Sequence, residues 1–219
     1  MNYQEAIDWI YSTQQFGIKL GLEAPKELLA QYLAFPKATT KVAHLAGTNG
    51  KGSTCALLDS LAQESGVRVG LFTSPHLVDF RERIQVSGEM ISEEDTAKHI
   101  TALKELVKDW ENHPTFFELA LAVAMRYFRD QKCELIILET GMGGRLDATT
   151  AVPADVCGIT PIALDHTQWL GDTMAEVAGE KAGIIVSSAP VFSAKQHPDA
   201  ERVIAQRANK MRAKLRIID

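Results

Sequence analysis

A glycine-rich stretch, Gly47-Thr48-Asn49-Gly50-Lys51-Gly52-Ser53-Thr54, joins an apolar run, Val42 to Ala46, to a segment with helical spacing from Ser53 to Glu64. A second apolar run, Val67 to Phe72, follows the helix-stopping Gly66. Strand, helix and strand in this order form a βαβ unit, so the two strands lie parallel and the helix crosses over one face of the sheet. The loop then sits between a strand and a helix N-terminus. Its glycines let the backbone turn N–H groups inward, and the helix dipole favours an anion there. Lys51 can reach outer phosphates, and Ser53 or Thr54 can approach Mg²⁺. Two features depart from the common phosphate-loop spacing: Leu45 occupies the first glycine position, and Gly52 separates the lysine from the hydroxyl residue. A turn that merely links a strand to a helix is the alternative reading.

The alternation continues along the chain. Two short helices are expected first, one carrying Tyr3, Ile7, Ile10 and Tyr11 on one face, the other starting at Pro25 and carrying Leu28, Leu29, Tyr32 and Leu33; a loop from Phe16 to Glu23 separates them. Ile84 to Val86 and Met90 to Ile91 around Gly88 suggest a small hairpin. Ser92 with Asp95, and Thr115 with Glu118, resemble capping boxes for helices over Glu93–Glu111 and Phe116–Asp130. Further strands are expected at Leu135–Leu138, Val156–Thr160, Val191–Ser193 and Leu215–Ile218, with helices near Met174–Lys181 and Asp199–Lys210. The fold class is therefore α/β, a doubly wound, mostly parallel sheet preceded by two short helices.

Composition narrows the partners. The net charge is −5 and the Lys and Arg residues form no block that could track a nucleic acid. Cys55, Cys133 and Cys157 are odd in number and lack metal-like spacing, which suits reduced core thiols of a cytoplasmic protein. No apolar run approaches the length of a bilayer span, so no membrane partner is expected. Ser74, Glu139 and His166 each follow an expected strand, and Lys51 lies in the loop after the first one. In an open α/β sheet such carboxyl ends converge on one crevice. A serine hydroxyl and a glutamate oxygen suit Mg²⁺; histidine is less usual. Taken singly, each has a structural explanation: a loop cap, a strand-end polar group, a turn histidine.

The loop Gly-Thr-Asn-Gly-Lys-Gly-Ser resembles that of the Mur ligase superfamily, and Lys-Gly-Ser in particular that of its folylpolyglutamate synthase and dihydrofolate synthase branch. Four more blocks in order carry the resemblance: Thr73-Ser74-Pro75-His76-Leu77, then Glu139-Thr140-Gly141-Met142-Gly143-Gly144-Arg145-Leu146-Asp147-Ala148-Thr149, then Ala163-Leu164-Asp165-His166-Thr167, and Glu180-Lys181-Ala182-Gly183-Ile184. Thr150 departs from the asparagine usual in that branch.

The resemblance implies an ATP-dependent ligase that adds L-glutamate to tetrahydrofolate, or to dihydropteroate, through an acyl phosphate, with ATP and Mg²⁺ as cofactors and a monomeric state. It implies Ser74, Glu139 and His166 as Mg²⁺ ligands, with Lys51, Lys181 and His166 serving catalysis. Lys181 matches a lysine that is carbamylated and faces a second Mg²⁺; a solvated lysine capping a helix end is the alternative. Gly21-Leu22-Glu23, Thr115-Phe116-Phe117-Glu118 and Leu146-Asp147-Ala148 match stretches lining the pterin site. An aromatic such as Phe117 can stack on a heterocycle and Asp147 can accept its N–H groups, although a capping box and a core position also explain Thr115, Glu118 and Phe117. By the same resemblance, residues 1–40 hold the leading helices, 41–219 an incomplete ATP-binding part, and the domain that carries an Asp-Gly-Ala-His-Asn-like segment and holds glutamate is absent. The chain alone is then expected to form the amide bond slowly or not at all. Two rivals remain: a peptidoglycan-precursor ligase, which calls for a hydroxyl residue directly after Lys51, and a non-catalytic nucleotide-binding module.

Overall fold

The computed structural model describes residues 1–218; Asp219, expected to end the last strand, lies outside them. One sheet of eight strands organises the chain: β1 (Lys41–Ala46), β2 (Val69–Phe72), β3 (Ile84–Val86), β4 (Glu89–Met90), β5 (Leu135–Glu139), β6 (Val156–Ile159), β7 (Val191–Ala194) and β8 (Leu215–Ile218). Their order is β4-β3-β2-β5-β1-β6-β7-β8. Six strands are parallel, and the β3–β4 hairpin adds an antiparallel edge beside β2. The chain passes from β1 over β5 to β2, returns to β5, and then crosses β1 to β6. This reversal makes β1 the topological switch point, where an open sheet leaves a crevice at its carboxyl ends.

The helices follow from local chemistry. α1 (Tyr3–Ser12) starts at an Asn2–Glu5 capping box, and α2 (Glu23–Gln31) holds Pro25 in its first turn. α3 (Lys51–Glu64) begins two residues earlier than expected, inside the glycine-rich loop. α4 (Glu93–Val107) is shorter than expected: Ser92 caps Asp95 N–H, but the helix ends before the polar 108–112 stretch. α5 (Phe116–Asp130) has the full Thr115–Glu118 box and is buried on nearly every side from Leu119 to Met125. α6 (Thr167–Leu170), a single turn, was not legible in the sequence; α7 (Met174–Lys181) and α8 (Pro198–Lys210) were.

Alternation along β1 sorts the layers. Val42 and Ala46 face α1, α2, α4, α5, α7 and α8, while Ala43 and Leu45 face α3 with Val69, Leu71 and Ile137. Gly70 is glycine because the Phe128 ring of α5 lies on the strand; a Cβ there would come within 2.6 Å of Phe128 Cγ.

Candidate active site

The glycine-rich loop is shaped by backbone freedom and pinned by the segment that follows the neighbouring strand β6. Gly47 has φ +152°, and a Cβ would meet Thr160 Oγ1 at 1.9 Å; Gly50, at φ +82°, caps α3. The Thr48 and Asn49 N–H groups both donate to Pro161 O (3.0 and 3.2 Å). Thr48 Oγ1 donates to Ala163 O and accepts from Ala163 N–H (3.0 and 3.1 Å). The Ala163–Thr167 motif thus begins as an anchor for the nucleotide loop.

Two lysines meet on this loop. Lys51 Nζ donates to Gly47 O (3.0 Å) and Thr48 O (3.3 Å), and Lys181 Nζ donates to the same Gly47 O at 2.9 Å. Lys181 is only 2% exposed, which rules out the solvated helix-capping alternative. Its burial, aided by the repulsion of Lys51, lowers its pKa to about 8.

Glu139 ends β5 rather than following it, and is 5% exposed. Its Oε2 accepts Ser74 N–H at 3.0 Å and its carboxylate also takes Gly52 N–H. Burial raises its pKa against the pull of these N–H groups, Lys51 and Arg83. A Cβ on Gly52 would stand 3.6 Å from Glu139 Oε1, so the glycine that spoils the common loop spacing keeps the open face of this carboxylate clear. A buried carboxylate beside a serine, with space toward the phosphate loop, fits Mg²⁺, which needs few protein ligands when phosphate oxygens supply others. Among the described residues no cluster of three or more His, Cys, Asp and Glu side chains forms a ready-made metal cage. His166 takes a left-handed backbone (φ +47°) ahead of α6, with a half-exposed ring 3.6 Å from Asp165. Ser74 and Glu139 are therefore brought together, whereas His166 sits on the loop beyond Ala163.

Beyond Glu139, the Gly141–Leu146 loop leads to a cavity of about 360 Å³. Phe117, Glu118, Met142, Leu146 and Asp147 line it together with the Gly17–Leu20 loop. Thr115, Phe116 and Ala148 also border it, so two of the three expected stretches converge. Gly141 packs on the Phe117 ring, where a Cβ would meet Cζ at 2.8 Å. The third stretch falls elsewhere: Gly21 and Glu23 border a neighbouring hollow of about 720 Å³, and Leu22 precedes α2 and lines neither. Asp147 differs from the expected free acceptor. Its oxygens accept the N–H groups of Gly141, Met142 and Thr149 and the Thr149 hydroxyl, so its acceptor sites serve its own loop.

The loop also docks on α7. Arg145 N–H donates to Glu180 O (2.7 Å), its guanidinium pairs with Glu180 Oε1 (2.8 Å), and the Thr150 hydroxyl holds Gly144 O (2.6 Å). A Cβ on Gly183 would strike Arg145 Cα at 2.3 Å, which explains the glycine after Lys181-Ala182.

Arg83 escaped the sequence reading. It is 8% exposed, its Nε donates to His76 Nδ1 at 2.6 Å, and its guanidinium lies 5.3 Å from the Phe116 ring centre. His76 Nδ1 therefore accepts, which leaves Nε2–H to donate to the Tyr11 hydroxyl at 2.9 Å. No local signal separates Arg83 from Arg81 two residues earlier, which pairs with Asp79 nearer the surface.

A parallel sheet whose switch point carries a glycine-rich phosphate loop, two converging lysines and a buried carboxylate defines a P-loop nucleotide-binding α/β domain. The chain belongs to the Mur ligase family: residues 45–215 match the Mur ligase middle domain. Within that family it is similar to the dihydrofolate synthase/folylpolyglutamate synthase of Bacillus subtilis, 42% identical over 213 residues, which are 95% of this chain and 49% of the relative. The chain thus spans between about a quarter and a half of the length of the curated relatives it matches. The solved FPGS–AMPPCP complex superposes with a TM-score of 0.92 at 30% identity, covering 100% of this chain and 54% of that one. E. coli FolC in complex with DHPP and ADP superposes with 0.87 at 36% identity, covering 97% and 51%.

Proposed function

We propose that this chain provides the ATP-binding part of a ligase that joins L-glutamate to a folate, and also to dihydropteroate, through an acyl phosphate. The observation that carries the reading is the placement of Lys51, Lys181 and the Ser74–Glu139 pair at one mouth of the phosphate loop, next to a cavity walled by Phe117. An acyl phosphate forms by transfer of a γ-phosphoryl group to a carboxylate, so anionic oxygens crowd together. The Lys51 ammonium, aimed at Gly47 O, is poised to offset that charge, and Lys181 on the same oxygen is the amine that carbamylation would turn into a ligand for a second Mg²⁺. Mg²⁺, held by Ser74 and Glu139 with His166 from its loop, would supply charge neutralisation when bound. The aromatic wall and the Asp147-ordered loop suit a flat heterocycle carrying the carboxylate, and the glycine-rich turn and α3 N-terminus suit the nucleotide. The relatives support this choice: one is solved with AMPPCP, another with DHPP and ADP.

The test is calorimetric binding of MgADP and of dihydropteroate to the chain, with phosphate release measured on adding ATP and either dihydropteroate or tetrahydrofolate, each with and without glutamate. Binding of both ligands is expected. A folded chain that binds MgADP but neither pteroate compound overturns the substrate reading, and one that binds no nucleotide overturns the whole proposal.

A further inference from the structure

Strand β1 reads Lys-Val-Ala-His-Leu-Ala, and its one interior polar side chain, His44, is 1% exposed. Burying an imidazole in a strand core is unfavourable unless its polar atoms are used. His44 Nε2 lies 2.8 Å from Thr149 Oγ1, and the same hydroxyl contacts Asp147 Oδ1. Asp147 Oδ2 takes the N–H groups of Gly141 and Met142, both at 2.9 Å, and Oδ1 takes Thr149 N–H at 3.0 Å.

Counting protons fixes the direction of this chain. Burial raises the Asp147 pKa against the pull of the Thr149 hydroxyl and of three backbone N–H groups; the two N–H groups that fill Oδ2 and the third that reaches Oδ1 are the surroundings of an ionised carboxylate. A carboxylate can only accept, so the single Thr149 hydroxyl proton points at Oδ1. The hydroxyl then has only lone pairs to offer His44, which must donate from Nε2. Because burial lowers the His44 pKa to about 3, the ring is neutral and Nε2 carries its only proton. The order is His44 Nε2–H to Thr149 Oγ1, and Thr149 Oγ1–H to Asp147. Asp147 in turn gathers the Gly141 and Met142 amides and so curves the loop that walls the Phe117 cavity.

We propose that His44 is a positioning residue which, as the Nε2–H tautomer acting through Thr149, holds the Asp147 carboxylate and the Gly141–Leu146 loop in the shape that receives the heterocyclic substrate. The role rests on reading that cavity as the pteroate site. It gives β1 two tasks, since the strand also launches the nucleotide loop three residues later at Gly47. Only the cavity side depends on the relay, so substrate affinity and nucleotide affinity should separate.

Dihydropteroate and MgADP affinities of His44→Leu, His44→Gln, Thr149→Val, Thr149→Ser and the His44→Leu/Thr149→Val pair test this. Gln retains an N–H near the Nε2 position, and Ser retains the hydroxyl. The Leu and Val variants should each weaken dihydropteroate binding about tenfold, the loss of one hydrogen bond to a charged network. The pair should be no worse than Thr149→Val alone, Gln and Ser should restore affinity, and MgADP binding should not change. Wild-type dihydropteroate affinity in folded His44→Leu, or additive losses in the pair, overturns the proposal. A ligand-free readout separates its failure from that of the cavity reading: ¹⁵N NMR of the His44 ring should show the neutral Nε2–H tautomer in the wild type. Observation of Nδ1–H, or of an imidazolium at neutral pH, overturns the relay whether or not dihydropteroate binds and whether or not the variants fold.

Discussion

At the residue scale, the site is governed by charges removed from water. Glu139 is held above the ordinary carboxylate range because burial outweighs the pull of Ser74 N–H, Lys51, Arg83 and Gly52 N–H. Glu139→Gln removes the charge and keeps an acceptor for Ser74 N–H. It should weaken Mg²⁺-dependent nucleotide binding roughly tenfold to a hundredfold and leave the melting temperature unchanged or higher; equal MgADP affinity in the folded variant would remove Glu139 from the metal site. Lys181, titrating at about 8, has about half its amines neutral at that pH, against well under 1% for an unperturbed lysine. Since CO₂ adds only to the neutral amine, incubation with ¹³C-bicarbonate at pH 8 should produce a carbamate resonance that Lys181→Arg lacks; an unchanged spectrum argues against the modification. His44 has the opposite kind of consequence. Its pKa falls from 6.5 unfolded to about 3 folded, so above 6.5 it is neutral in both states. As pH falls from 6.5 toward 3 the unfolded chain binds a proton that the folded chain refuses. Stability should therefore drop by about 1.4 kcal/mol per pH unit from this group, and denaturant titrations of His44→Gln should lack that share of the slope.

At the scale of elements, what positions the site is close packing between α5 and the sheet. Phe128 lies on Gly70 of β2, and Phe117, in the first turn of the same helix, lies on Gly141 just after β5. Helix α5 therefore sets the distance between the sheet's carboxyl end and the aromatic wall of the cavity. Gly70→Ala forces its Cβ into the Phe128 ring and should cost about 1–3 kcal/mol, read as a lower denaturation midpoint with an unchanged slope. Recovery of stability in Gly70→Ala/Phe128→Leu would show the loss to be steric. Several elements were legible because the chemistry that makes them is local: the bounds of α5, α7 and β8 match the residues read from periodicity and capping pairs. The single-turn α6 and the early start of α3 were not. α6 lacks a repeat long enough to show a period, and α3 begins at Lys51 and takes in Gly52, a poor helix former, just after the loop that Thr48 and Asn49 tie to Pro161 and Ala163.

At the scale of the molecule, the two faces of the sheet are unequally covered. On the Val42 side α5 packs against the sheet with α1, α2 and α4 gathered around it and α7 and α8 beside it, whereas α3 packs on the Leu45 face and borders an apolar groove of about 900 Å³ over β6 and β7. Leu57 and Leu61 of α3 are each 66% exposed beside it. Surface of this kind promotes association. Leu57→Glu with Leu61→Lys should reduce self-association in sedimentation and dye binding while moving the melting temperature by no more than about 2 °C; a larger fall would mean that these leucines are packed in the folded chain.

The sequence by itself determined the parallel α/β architecture, the phosphate loop, most helix and strand positions and the kinship with folylpolyglutamate and dihydrofolate synthases. Each depends on periodicity, capping or a contiguous motif within reach of neighbouring residues. Only the tertiary structure decided that Lys181 meets Lys51 on Gly47 O, that Gly52 clears a face of Glu139, that Arg83 is buried beside His76, and that His44 reaches Asp147 through Thr149. Those pairs are set by strand order and loop curvature, which bring together groups up to 134 residues apart in the chain. A side chain's protonation, in turn, depends on the water its neighbours exclude, and no local pattern in the sequence encodes that.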